Sequence, residues 1–143
     1  MFHVIFDVGG VVVRLNLGFT SKEFQRLSGC GAAVVASFLT EEFSGPVDGY
    51  SLTEKAVAGL ISKEAYISAI HAALDGRMSV GAIQDTLIGI IGGQDERILP
   101  ILDQLEQAAW PISCFSNADQ LHWEYILAEI PIMRRFGCKM ASF

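Results

Sequence analysis

The sequence predicts an α/β fold, a parallel sheet interrupted by a long helical insertion. Three observations predict it. Val4-Ile5-Phe6-Asp7-Val8-Gly9-Gly10-Val11-Val12-Val13 is a β-forming run broken by one carboxylate and two glycines. Trp110-Pro111-Ile112-Ser113-Cys114-Phe115-Ser116-Asn117 is a second short strand ending in a polar pair. Between them the apolar residues recur mostly at helical spacing.

In the first run, an ionised Asp7 is expensive to bury without partners, so it belongs at the mouth of the strand and not in its middle. Gly9 and Gly10 let the backbone turn sharply and bring N–H groups near a ligand. A carboxylate beside such amides is suited to holding a cation and attacking an electrophile. The plainer alternative is a buried strand ending in a Gly-Gly turn with a capping Asp.

Ser21–Ser28 reads as a short amphipathic turn ending near Gly29 and Gly31. Ala32 to Phe43 follows, with Val34, Val35, Phe38 and Leu39 on one face. Ser44-Gly45-Pro46-Val47-Asp48-Gly49 is a break. Ser51-Leu52-Thr53-Glu54 and Ser62-Lys63-Glu64 begin helices, the second leading to Tyr66, Ile67, Ile70 and Ala73. Asp75-Gly76-Arg77 breaks the pattern again. Val80 to Ile91 is another apolar-faced helix, ended by Gly92-Gly93. Asp95 to Ala109 is the amphipathic helix that returns to the second strand. Phe19, Phe43, Tyr50 and Tyr66 are core aromatics on this reading, and lining a lid is the sharper alternative.

After the second strand, Asp119 is a plausible cap for a helix through Gln120-Leu121-His122-Trp123-Glu124-Tyr125-Ile126. Small polar residues at such a strand-to-helix turn are placed to hydrogen-bond an anion. His122 has two readings, a helix-start or surface histidine and a substrate contact. Cys138-Lys139-Met140-Ala141-Ser142-Phe143 is a third strand.

Phe6-Asp7-Val8-Gly9-Gly10-Val11 and, in order, Phe115-Ser116-Asn117 with the Leu121–Tyr125 run resemble the motifs of the haloacid dehalogenase-like hydrolases. The resemblance is to the branch whose first motif reads Phe-Asp-x-Gly-Gly/Asn-Val. It implies a Rossmann-like parallel sheet, partial and of about three strands, with an inserted α-helical cap. The core would be residues 1–16 and 93–143 and the cap residues 17–92. It implies that Asp7 is the nucleophile, forming an aspartyl-phosphate with a small-molecule phosphate ester. Gly10, Ser116 and Asn117 would bind the phosphoryl group. Mg²⁺ would be held by the Asp7 carboxylate and the Gly9 main-chain carbonyl, an oxygen set of the kind magnesium prefers.

Two departures bear on that expectation. Gly9 stands where most phosphatases of this family carry a second Asp acting as general acid and base, help worth about 10²–10⁴ in rate. The Lys and acidic pair expected after the third and fourth strands have no counterpart, since Lys139 precedes the expected position. The chain therefore reads as a catalytically incomplete, truncated hydrolase. A non-catalytic binding or interaction module is the alternative. With its later strands missing, the first strand has an unpaired apolar edge, which suggests a homo-oligomer.

Composition fits this picture. The 143 residues suit one domain, with 51% apolar and 18% charged residues. Mean hydropathy is +0.39, high enough to suggest apolar surface meant for missing elements. No run of about 18 apolar residues is present, which argues against a membrane span. Residues 1–13 lack the basic start of a signal peptide and contain Asp7. A net charge of −6 argues against nucleic acid and anionic membrane surfaces. Arg134-Arg135, the only adjacent basic pair, reads as a solvated helix end. Cys30, Cys114 and Cys138 have no paired spacing, the latter two reading as buried strand residues, and a reduced cytoplasmic setting fits. His3, His71 and His122 lack zinc-ligand spacing.

Overall fold

A computed structural model describes residues 2–39 and 51–143. The main sheet is parallel, in the order β1-β4-β5. β1 (Val4–Asp7) pairs with β4 (Ile112–Ser116), Val4 opposite Ile112 and Asp7 opposite Phe115. β4 pairs with β5 (Cys138–Ala141), Ser116 opposite Ala141. β1 is thus an edge strand of the described sheet, and Ile5 on it is 59% exposed.

The chain leaves β1 through a tight turn knotted around one carbonyl. The Val8 oxygen accepts N–H groups from Val11, Val12 and Val13 at 3.3, 2.9 and 2.9 Å. Val8, Val12 and Val13 are fully buried, so apolar burial anchors a turn that glycines shape. β2 (Val13–Leu15) then pairs antiparallel with β3 (Ile91–Gln94). Five helices lie between those two strands in the described chain: α1 (Phe19–Ser28), α2 (Ala32–Leu39), α3 (Leu52–Val57), α4 (Lys63–Ala73) and α5 (Val80–Ile88). After β3, a 3₁₀ turn at Glu96–Ile98 leads into α6 (Leu99–Gln107). β4 is followed by α7 (Gln120–Glu129), and a 3₁₀ turn at Pro131–Arg135 leads to β5.

Helix starts follow the local chemistry. Ser51 makes a reciprocal capping box with Glu54, and Ser62, Ser79 and Asp119 accept N–H groups at the starts of α4, α5 and α7. Two cores result. One holds Val8, Val12, Leu102, Cys114, Met133 and Phe136 against the sheet. The other holds Phe24, Phe38, Tyr66, Ile70 and Leu87 among the inserted helices, and it takes Leu121 from α7. Phe24 and Phe38 meet edge to face, centroids 5.3 Å apart. An ion pair from Lys63 to Glu124 also ties α4 to α7.

Several expectations change. Gly92 and Gly93 do not stop a helix; α5 ends at Gly89, and the two glycines are part of β3. A side chain at Gly92 would press on Arg14 of β2, with its Cβ 3.1 Å from the Arg14 oxygen. Cys138 is exposed, because β5 lies at the sheet's outer edge, while Cys114 on the central strand is buried. Burial pushes the Cys114 thiol pKa up. Arg135 is not simply solvated, since it bridges Asp103 and Glu106 of α6 at 2.7 Å each. Tyr66 is core, its hydroxyl 3.1 Å from Thr53 Oγ1. Phe43, Tyr50, the end of the Ala32–Phe43 helix and the Ser44–Gly49 break lie outside the described residues.

Candidate active site

Asp7 is the last residue of β1, and Ser116 the last of β4. The strands run parallel with Asp7 opposite Phe115, so their carboxyl ends open on the same edge of the sheet. Asp7 is exposed, and its Oδ1 accepts the Val8 N–H at 2.8 Å. Ser116 is buried and Asn117 exposed, immediately before the start of α7. That position puts both near the positive end of a helix, where anions are favoured.

The turn after Asp7 is built around two different glycines. Gly10 has φ +77°, a conformation that side chains rarely adopt, with open space around it. Gly9 does not have positive φ, and a Cβ there would meet only Leu15 Cδ1 at 3.4 Å. A bridge forms opposite Val13, but its bonds run through the Val8 oxygen and the Gly10 N–H, leaving the Gly9 carbonyl outside it.

A cavity of about 200 Å³ brings Gly9, Val13 and Leu15 together with Ser116, Asn117, Ala118, Asp119 and His122. Thr53 and Val57 of α3, with Ile90 and Ile91, form its other wall. The insertion and the sheet therefore share one cavity. Asp7 sits at the adjacent strand end and does not line it. Gly10 opens on a separate cleft of about 500 Å³, with Arg14, Asn16, Gly92, Asp95 and Arg97. Val13 lines only the Ser116 cavity and Arg14 only the other cleft, while Leu15 reaches both.

His122 is the residue whose position sequence reasoning resolved least. It lies in the first turn of α7 and is largely buried, with its side chain 17% exposed. Its Nδ1 is 2.6 Å from Asp119 Oδ2, and its Nε2 is 2.9 Å from the Leu87 carbonyl. Asp119 Oδ1 accepts the His122 N–H at 3.1 Å, capping the helix. Burial pushes the imidazole pKa down, but the Asp119 hydrogen bond and charge, with the Leu87 carbonyl, more than reverse it, and the pKa ends above the usual histidine value. Burial raises the Asp119 carboxyl, and the His122 bond and charge, with two backbone N–H groups, leave it below the usual carboxylate range.

Among the described residues no three acidic, histidine or cysteine side chains cluster as a metal site. At this end of the sheet lie the exposed Asp7 carboxylate and, two residues on, the Gly9 carbonyl. That small all-oxygen set suits magnesium, which keeps several waters. Lys139 donates to the Phe136 carbonyl at 2.8 Å, a bond made back along its own chain.

No family model and no curated protein matches the sequence. Solved structures do. HAD family enzyme BT-2542 from Bacteroides thetaiotaomicron, in a magnesium complex, superposes with a TM-score of 0.75 at 17% identity, covering 98% of this chain and 67% of that one. A structure of the same enzyme with magnesium and inorganic phosphate gives 0.73 at 17% identity, over 96% and 67%. A predicted HAD-like family hydrolase from Porphyromonas gingivalis gives 0.73 at 18% identity, over 98% and 65%. The chain has the haloacid dehalogenase-like fold. It spans about two thirds of the length of these haloacid dehalogenase-like structures. No helix among the described residues is long and apolar enough to cross a membrane.

Proposed function

We propose that this chain carries the nucleophile and phosphate-binding half of a Mg²⁺-dependent phosphatase acting on a small phosphate ester. One observation carries the reading. Asp7, and the Ser116–Asn117 pair, leave adjacent parallel strands at the same edge, one register step apart. That the similar BT-2542 structures hold magnesium and phosphate supports it.

In this reading an Asp7 carboxylate oxygen attacks phosphorus, and the bond from phosphorus to the ester oxygen breaks. Water then cleaves the aspartyl-phosphate, returning the carboxylate and releasing phosphate. The Ser116 hydroxyl and Asn117 amide donate to the phosphoryl oxygens. Magnesium, held by Asp7 and the Gly9 carbonyl, would offset the repulsion between two anions. Gly9 has no side chain to protonate the leaving oxygen, so substrates with acidic leaving groups are favoured. The inserted helices, residues 17–92, act as the cap over residues 1–16 and 93–143. The setting is the reducing cytoplasm.

A non-catalytic phosphate-binding module is the second reading. It is favoured by Gly9 and by the lack of an acidic cluster among the described residues. Phosphate release from a panel of small esters, with and without Mg²⁺, separates the two when run beside Asp7→Asn. Release that needs both metal and Asp7 supports the phosphatase. Phosphate binding without release supports the module, and equal release from both chains contradicts the nucleophile.

A further inference from the structure

The inserted helices and α7 meet across one imidazole. His122 Nδ1 faces the Asp119 carboxylate at 2.6 Å, and Nε2 faces the Leu87 carbonyl at 2.9 Å. Both facing groups are acceptors. A neutral imidazole has one N–H and can serve only one of them, whereas the imidazolium serves both. The Leu87 oxygen also accepts the Ile90 N–H at 3.3 Å and shares the Gly89 N–H with the Asp85 oxygen, both turn contacts at the end of its own helix. Leu87 lies in the last turn of α5, where carbonyls lack partners within the helix.

Other charged groups around the ring are engaged elsewhere or turned outward. On α7, Glu124 is paired with Lys63 of α4 and with Gln120. From α4, the Tyr66 hydroxyl bonds to Thr53 of α3. Glu54 of α3 is tied to the Ser51 N–H, and Asp85 of α5 is exposed. Among the described residues, Asp119 is the charged group that hydrogen-bonds to the ring.

We propose that His122, as the imidazolium, is a positioning residue that latches α5 onto α7 and closes the helical insertion over the Ser116–Asn117 cavity. The cavity has one wall from each side of this latch: Ile90 and Ile91 follow α5, and Ser116 to His122 lead into α7. When the ring loses its proton, the charged Asp119 keeps the remaining N–H. The Nε2 lone pair then faces the Leu87 oxygen, and the link to α5 is lost. The folded pKa is raised, so the latch is complete below the unfolded histidine value and is lost as pH rises through the folded one. The latch goes beyond the phosphatase reading and does not depend on chemistry at Asp7.

The test needs no substrate. Ring ¹⁵N NMR of the 143-residue chain is followed with pH beside amide hydrogen exchange over residues 87–91, corrected for the intrinsic pH dependence of exchange. At about pH 6 both ring nitrogens of His122 carry protons, although an ordinary histidine is already titrating there. As the ring titrates, exchange over residues 87–91 rises about tenfold, the equivalent of one hydrogen bond from a charged donor. His122→Asn, whose amide reaches Asp119 but not Leu87, exchanges at the high-pH level throughout. A ring with a single N–H at pH 6, or wild-type exchange with no step, overturns the latch. The two wild-type readouts decide the matter even if the variant fails to fold.

Discussion

Asp7 stands opposite Phe115 in the parallel ladder between β1 and β4, so a carboxylate and the Ser116 hydroxyl end neighbouring strands one residue apart. That register follows from apolar pairing lower in the ladder, Val4 with Ile112 and Phe6 with Cys114. A slip of one residue would turn Ser116 to the other face relative to β1 and change its position against Asp7. The geometry of the candidate site is thus held by residues that take no part in its chemistry.

Gly9 is the position where a general acid can be restored. A Cβ there meets only Leu15 Cδ1 at 3.4 Å, and the backbone is not in the positive-φ region. Gly9→Asp is therefore expected to fold normally. It is expected to raise the rate for esters with poor leaving groups, by up to about 10²-fold. Steady-state rates on such esters, beside a melting curve, check this. A stable variant with no rate gain would mean that proton supply is not the limiting step.

Asp95 secures the turn from the far side. Its N–H donates to the Val12 carbonyl at 2.8 Å, and its carboxylate caps Arg97 N–H and receives the Arg97 guanidinium. Those Arg97 bonds, opposed by burial, lower the Asp95 pKa from 3.8 to about 2. A depressed carboxylate stabilises the fold above its unfolded pKa, and that contribution is lost as pH falls through the folded value. Asp95→Asn should therefore flatten the loss of stability between about pH 4 and pH 2. Urea midpoints measured across that range test it, and an unchanged acid slope would contradict it.

Much of the fold was legible because it is local. The β-forming runs at Val4–Asp7 and Ile112–Ser116 announce strands, and Ser51, Ser62 and Asp119 announce helix starts. What was not legible depends on distant partners. Gly92 and Gly93 look like a helix stop, and only pairing with β2, nearly eighty residues earlier in the chain, makes them a strand. His122 is the helix-start residue its context announces, but its burial is not legible, because Leu87, which completes its pair of acceptors, is 35 residues away. Cys138 follows strand chemistry, yet its exposure is set by where β5 falls in the sheet order.

Among the described residues no strand pairs with the outer edge of β1, where Ile5 is 59% exposed and Phe2, just before the strand, 74%. Exposed apolar edges invite pairing with another chain. The chain is expected to self-associate as its concentration rises, and Ile5→Lys is expected to shift it towards monomer. Light scattering over a concentration series reads both. A wild-type chain that stays monomeric at every concentration contradicts the edge as an interface.

The central claim is that Asp7 takes the phosphoryl group. The most direct measurement is acid quenching of the chain with Mg²⁺ and a ³²P-labelled phosphate ester bearing an acidic leaving group, followed by peptide mapping. The account predicts an acid-stable, hydroxylamine-labile label on the peptide containing Asp7, absent from Asp7→Asn. No label, or a label on any other residue, would contradict it.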